Sequence, residues 1–238
     1  MVADVHTRTI GDVVSLVRGT TYKSALLGQP GPVLLGLGSI QRNGGFRDDS
    51  LKTYGGESKT NQLLVPGDLY VSLKDVTQSA DLLGAVARVP GAVASGRLTQ
   101  DTVKLDFVNQ EYPRNLVYWV LRTPQYRAYC RGHSTGTTNL GLPREDFLAY
   151  QLPAPTSEIL SLVETLEALD DRIDNLRQTN ATLEAIAAAL FKSWFVDFDG
   201  VPPEDMQESE LGLIPKGWRV GTLADLCELK YGKALKAT

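Results

Sequence analysis

The 238-residue chain contains only two cysteines and two histidines. Cys130 and Cys227 lie far apart and lack the paired spacing of a zinc site, so neither a disulfide framework nor a metal centre is supported. Sparse cysteine fits a reducing cytosol, and a cytoplasmic location is the expectation. No apolar run is long enough to span a bilayer, and the polar start at Asp4, His6, Thr7 and Arg8 is unlike a secretory signal. No membrane partner is expected. The chain also has no P-loop, no Gly-rich cofactor loop after a strand and no Asn-Pro-Pro-aromatic motif. His6 and His133 have no triad partners nearby in sequence, and Asp48 with Asp49 reads as a solvated turn. The expectation is a chain that neither catalyses nor holds a cofactor.

Charge of one sign is scarce overall, with a formal net charge of −4, but it is unevenly divided. Residues 1–150 carry 16 Lys and Arg against 13 Asp and Glu, whereas the remainder carries 8 against 15. Only the first part has the balance to hold phosphates. With 42% hydrophobic residues, the chain can also bury a core unaided.

The first 150 residues read as mixed α/β. Short β-like runs fall at 33–37, 69–73, 85–89 and 103–108, punctuated by Gly and Pro. A helix is expected over 115–129 from Leu116, Val120 and Leu121, and a polar loop over 132–141.

Gly and Pro then vanish. After Pro153 and Pro155, with Thr156 or Ser157 as a cap, neither residue recurs before about Phe195. Apolar residues repeat at 3-4 spacing for five heptads. Position a holds Ile159, Leu166, Ile173, Asn180, Ala187 and Trp194; position d holds Leu162, Leu169, Leu176, Leu183 and Leu190. At about 1.5 Å per residue such a helix is roughly 55 Å long. A sustained heptad seam wants a partner helix, and a second copy of the chain is the expected one, with Asn180 marking the register. The alternative is that the helix packs back on residues 1–150. The aromatic group Phe191, Trp194, Phe195 and Phe198 reads either as local packing or as a docking surface.

Residues 197–217 are acidic and Pro-containing and read as a linker, and a last segment begins near Trp218. That segment repeats the start of the chain. Ile10, Asp12, Leu16, Gly19 and Lys23 align without gaps against Leu223, Asp225, Leu229, Gly232 and Lys236. The division is therefore 1–155 as a mixed α/β domain, the one that the resemblance described next makes a DNA-binding target-recognition domain, 156–196 as the long coiled-coil helix, 197–217 as linker and 218–238 as the start of a second domain. The fold class is α+β: a mixed α/β domain followed by a coiled-coil helix.

Several blocks together resemble one family. They are Leu152, Pro153, Ala154 and Pro155; the leucine-rich helix with Leu183 and Glu184; Leu190, Phe191, Trp194, Phe195, Asp197 and Phe198; and Gly212, Pro215, Gly217 and Trp218. The combination resembles the central region of type I restriction-modification specificity subunits. Ile10 with Asp12, the 66–72 stretch and Ser134 to Thr138 resemble that family's first target-recognition domain. The resemblance implies a sequence-specific reader of double-stranded DNA, non-catalytic itself, that directs methyltransferase subunits and translocase-nuclease subunits to a split site. S-adenosylmethionine, ATP and magnesium would then belong to those partner subunits. It also implies a truncation, with one reader and one helix, acting as a dimer. The alternatives are a coiled-coil adaptor, or an interfering fragment that occupies methyltransferase subunits without productive recognition.

DNA contacts are expected from loops. Arg42, Asn43 and Arg47 sit on a Gly-rich turn, and Arg and Asn suit guanine and adenine edges. Ser72 and Lys74 follow a strand that would aim Lys74 at a phosphate. Arg131, His133, Ser134, Thr135, Thr137, Thr138 and Asn139 combine a cation, hydroxyls, an amide and backbone N–H groups suited to phosphate oxygens. Lys23, with Arg18, adds possible backbone contacts. Each loop also reads as an ordinary hydrogen-bonded surface turn.

Overall fold

The computed structural model describes residues 8–137 and 139–232. It divides into two compact units, Met1–Ala168 and Leu169–Thr238. The first unit is built on a four-stranded antiparallel sheet of β2 (Val14–Arg18), β5 (Leu69–Ser72), β7 (Val86–Arg88) and β9 (Thr102–Phe107), in the order β2-β9-β5-β7. A three-stranded sheet joins β3 (Val33–Leu35), β8 (Gly96–Leu98) and β4 (Leu63–Leu64), with β3 parallel to β8. Four runs read as strands from sequence thus form strands.

Period-two alternation divides the apolar side chains of β5 and β7 between two cores. Leu69, Val71 and Val86 face one, while Tyr70, Ala85 and Ala87 face the other. The larger core is completed by Ile10, Val13, Tyr126, Phe147 and Val163. These come from α1 (Ile10–Val13), α3 (Pro124–Gly132), α4 (Arg144–Ala149) and α5 (Ser157–Phe195). The helix expected over 115–129 is two helices, α2 (Arg114–Val120) and α3. Pro124 cannot donate an N–H to the preceding turn, so one helix stops and the next starts at it, with the Thr123 hydroxyl accepting from Tyr126 N.

The domain closes where its ends meet. β1 (Arg8–Thr9) pairs antiparallel with β11 (Gln151–Leu152), and Ile10 N donates to Tyr150 O at 2.9 Å. From there the chain passes Pro153 and Pro155 and enters α5. Thr156 caps it, its hydroxyl accepting from Ile159 N at 3.4 Å. In the first turns of α5, Val163 is buried in the larger core and Ile159 packs against it.

Glu167, nearly three turns into α5, meets the domain through charge. Arg88 Nη1 and Nη2 donate to its two carboxylate oxygens at 2.7 and 2.8 Å, and Trp119 Nε1 donates to Oε1 at 2.5 Å. Burial raises the Glu167 pKa, but the hydrogen bonds from Arg88 and Trp119 and the charges of Arg88 and Arg122 outweigh it and hold the pKa below the usual 4.5.

In the second unit no residue of α5 from Leu169 onward is buried. The stretch read as a linker contains a β-hairpin, β12 (Met206–Ser209) with β13 (Gly212–Pro215). Gly212, at φ 102°, takes the left-handed conformation directly after the 210–211 loop, and Ser209 Oγ donates to Gly212 O at 2.6 Å. The sequence repeat extends to geometry. Thr9 N and Oγ1 donate to Asp12 Oδ2 at 2.7 and 2.8 Å, and Thr222 N and Oγ1 donate to Asp225 Oδ2 at 2.7 and 2.9 Å. Lys236 lies outside the described residues. The packing of the two copies differs: Ile10 and Val13 are fully buried, whereas Leu223, Leu226 and Leu229 are exposed.

Two outcomes follow. Ile10→Ala should destabilise the chain by about 2–5 kcal/mol, and Leu223→Ala should leave the thermal midpoint unchanged, as read by calorimetry. Because the folded pKa of Glu167 is depressed, its contribution is fully present above pH 4.5 and is lost as the pH falls through the folded value. Acid titration of wild type against Glu167→Gln should show that increment in the wild type alone.

Candidate nucleic-acid interface

Three of the polar loops singled out from sequence converge on one segment. β6 (Lys74–Asp75) pairs with β10 (Leu140–Gly141), which brings Lys74 beside the end of the 131–141 loop. Gln78 Nε2 donates to Thr137 O at 3.3 Å, and Asn43 N donates to Asp81 O at 2.9 Å. The 41–47 turn, the 72–75 region and the 131–139 loop are therefore contiguous through residues 74–82.

Two buried charges hold that segment. The Asp75 carboxylate accepts from Thr77 N, Thr77 Oγ1 and Leu82 N at 2.7–2.8 Å. From below, the buried Arg127 guanidinium donates to the carbonyls of Ala80, Asp81 and Leu83. Burial lowers the Arg127 pKa from its usual value, because the charged guanidinium loses water there. Neither residue was singled out from the sequence, because nothing in a linear pattern distinguishes a buried arginine from an exposed one.

An open cleft of about 340 Å³ lies along the Lys74–Thr135 side, lined among others by Arg18, Lys74, Asp101, Thr135, Gly141 and Arg144. Lys74 Nζ is 3.2 Å from Asp101, leaving three cations against one carboxylate in the lining. A second cleft of about 300 Å³, lined by Tyr22, Lys52 and Asp101 among others, shares Asp101 with it. Lys23 follows Tyr22 at this second cleft rather than joining the three converging loops; its backbone N–H reaches Tyr54 Oη at 3.4 Å. Arg144 and Lys52 are additions that sequence reasoning did not supply; a basic residue just after the polar loop and Pro143 was the one available hint.

The remaining candidates divide by what their side chains already do. Arg42 is exposed and lies 4.0 Å from Asp81, and Asn43 takes a left-handed φ of 63° that its turn requires. Arg47 instead forms a bidentate pair with Asp49 at 2.7 and 2.8 Å. Ser72 is fully buried, and its hydroxyl donates to Lys74 O while accepting from Lys74 N. It therefore shapes the bend that presents Lys74 and offers nothing to a ligand, which corrects the expectation for that residue. His133 stacks on Tyr129 with ring centroids 3.9 Å apart, and its Nδ1 lies 2.9 Å from Tyr129 O. Ser134 and Thr135 donate their hydroxyls to Arg131 O and Gly141 O, bracing the loop. Arg131, Thr137 and Asn139 are exposed, and Thr138 lies outside the described residues.

The heptad seam is also divided. Ile159 packs on its own domain and Leu166 is half-buried. Leu162, Leu169, Ile173, Leu176, Leu183, Leu190 and Trp194 are between 44% and 60% exposed, and Asn180 and Ala187 are exposed as well. The residue that buries deepest, Val163, lies outside the a and d positions. Among the aromatics, Phe195 and Phe198 approach Trp218, with centroids 6.2 and 5.3 Å away, so part of that group packs locally.

Arg127→Met should leave the Ala80 and Leu83 carbonyls without the Arg127 donor and Asp81 O with Asn43 N alone, and cost about 1–3 kcal/mol in denaturant unfolding. Amide exchange in residues 76–83 should accelerate, while exchange in β9 should change only through global stability.

No protein-family model matches the chain. It is 31% identical over 153 residues to the type I restriction enzyme MjaIX specificity subunit of Methanocaldococcus jannaschii, a match covering 63% of this chain and 34% of that protein. Over 40 residues it is 58% identical to the type I restriction enzyme HindI specificity subunit of Haemophilus influenzae, covering 17% of this chain and 9% of that one. The match to the first thus spans about a third of its length. Among solved structures, the type I restriction-modification S subunit from M. genitalium aligns with a TM-score of 0.56 at 15% identity, covering 87% of this chain and 58% of that chain. A chain from a structure of type I R-M complex assembly and conformational transition aligns at 0.50 and 13% identity, covering 81% and 45%. At such identities the structural likeness concerns the fold. The chain is related by sequence to type I restriction enzyme specificity subunits, over part of their length, and shares the fold of solved S subunits.

Proposed function

We propose that the chain is a DNA-recognition component of a type I restriction-modification complex, reading one half of a split double-stranded site. The observation that carries the reading is the convergence of the 41–47, 72–75 and 131–139 loops, with Lys74, Arg18 and Arg144 beside them, on one side of a domain related to specificity subunits. Exposed Arg42 and Asn43 have the donor and acceptor sets that base edges in the major groove distinguish. The cleft cations would neutralise phosphates and set register without reading sequence. Lys23 and Lys52 would extend that contact along the backbone.

The open seam from Leu162 to Trp194 suits a partner helix from a second copy of the chain, with Asn180 fixing register. Such a dimer would present two identical readers to a symmetric split site. The last turns add a second demand. Ala185 to Phe191 is apolar around the whole helix, more than one seam can cover, which suits docking of methyltransferase subunits there. Those subunits would supply S-adenosylmethionine chemistry, and translocase-nuclease subunits the ATP-dependent steps. The chain itself would be non-catalytic.

The test is DNA binding at graded salt. Wild type should bind duplex DNA with a salt-dependent affinity. The triple variant Arg18→Ala, Lys74→Ala, Arg144→Ala should lower the slope of log K against log salt by about 3, at near 0.9 per phosphate contact. Absence of duplex binding at low salt, with and without methyltransferase subunits, would instead support a protein-binding adaptor. In sedimentation, Leu176→Glu with Leu183→Glu should reduce a dimeric mass to the monomer's; an unchanged mass would remove the helix seam from the account.

A further inference from the structure

The segment that leaves β2, residues 18–23, is exposed along most of its length yet tied to buried side chains. The Arg97 guanidinium, on β8, donates to Thr20 Oγ1 at 3.0 Å and to Thr21 O at 3.1 Å, and lies 4.7 Å from the centroid of the Tyr54 ring. Tyr54 Oη accepts from Lys23 N. Gln62 accepts from the Thr20 hydroxyl and donates to Arg18 O. Arg97, Tyr54 and Gln62 are each only 3–4% exposed. Gly19 completes the attachment: a Cβ there would lie 2.0 Å from Thr99 O, so only glycine lets the chain pass so close.

The segment so fixed presents Tyr22, 42% exposed, in the lining of the second cleft of about 300 Å³. Leu27, Leu34, Leu37 and Leu51, all half-buried, line the same cleft and make it largely apolar. Its charged lining residues are Lys52 and Asp101, and Asp101 already faces Lys74 at 3.2 Å. The cleft is continuous with two parts of the candidate interface. Asp101 also lines the basic cleft of Arg18, Lys74 and Arg144. Ser39, in the lining of the Tyr22 cleft, accepts through its carbonyl from Arg47 N of the 41–47 turn at 3.0 Å.

Phosphate gains nothing from leucines and a tyrosine ring. The apolar group that base pairs show in the major groove is the C5-methyl of thymine. We infer that Tyr22, with the leucines of its cleft, is a specificity-determining residue that takes the methyl group of one thymine in the recognised half-site. Lys52 neutralises a neighbouring phosphate. The inference rests on the DNA-recognition reading proposed above and deepens it: base reading is shared between the polar Arg42–Asn43 turn and an apolar contact.

The experiment uses the full chain, alone and with type I methyltransferase subunits, and first selects bound duplexes from a randomised library. Each selected thymine is then replaced in turn by deoxyuridine, which removes only the methyl group. At one position this should weaken wild-type binding about fourfold. Tyr22→Ala should weaken binding to the thymine duplex by a similar factor and be indifferent to deoxyuridine at that position. Tyr22→Phe, which keeps the ring, should keep the discrimination. Lys52→Ala should weaken binding in a salt-dependent way and leave the methyl preference unchanged. The assignment would be overturned if no deoxyuridine weakened wild-type binding, or if the methyl preference survived intact in Tyr22→Ala; DNA recognition would stand in either case. A wild type that binds no duplex, with and without the methyltransferase subunits, would overturn that reading and the assignment with it.

Discussion

The candidate interface depends on how residues 74–82 are held. A loop of nine residues with few apolar side chains has little hydrophobic reason to adopt one shape. Here the shape comes from two buried charges. Asp75 gathers the N–H groups of its own loop, and Arg127 gathers carbonyls from the loop's far end. Each would be costly to bury alone; hydrogen bonds to backbone replace the lost water. Once this segment is fixed, the 41–45 turn and the 131–141 loop have something rigid to dock on through Asp81 and Gln78. Readers built on loops require such an inner scaffold, because a mobile loop loses its binding free energy in ordering.

The long helix divides its labour along its length. Its first turns belong to the first unit, tied by Val163 in the core and by the carboxylate of Glu167. From Leu169 onward none of its apolar residues is buried among the chain's described residues, and only Phe195 lies against a ring from outside the helix, that of Trp218. Apolar positions at sustained 3-4 spacing are costly to leave in water, and a partner of matching period is the physical remedy. The same helix thus joins a site-bearing domain to an unfilled interface.

Much of this was legible from residue patterns, and the failures have identifiable causes. Pro153, Pro155 and Thr156 at one end and Gly200 beyond the other bracket the long helix, and heptads fill it. The strands at 33–35, 69–72, 86–88 and 102–107 announced themselves by β-branched and apolar runs. Periodicity misled over 115–129, where Pro124 should have outweighed the alternation of Leu116, Val120 and Leu121. The hairpin at 206–215 hid in an acidic, Pro-containing stretch whose turn glycine, Gly212, was read as linker. Ile159 fitted the seam by number, but heptad position does not say which surface covers a residue, and its own domain does. Ser72 failed for a related reason: β5 is buried on both faces, so a polar residue at its end bonds inward. Lys52 required the tertiary fold, since nothing in sequence places it beside Tyr22, and for Arg144 the position just after the polar loop and Pro143 was only a hint. The loops singled out as DNA contacts come together in the fold, and Ser72 among their residues is buried.

The most direct measurement is amide hydrogen exchange on the full chain, alone and with type I methyltransferase subunits, with and without specific duplex DNA. The account predicts DNA-dependent protection concentrated in residues 41–45, 74–82 and 131–141 and at the cleft around Arg18 and Arg144. Protection absent from those segments, or confined to the exposed helix, would contradict it.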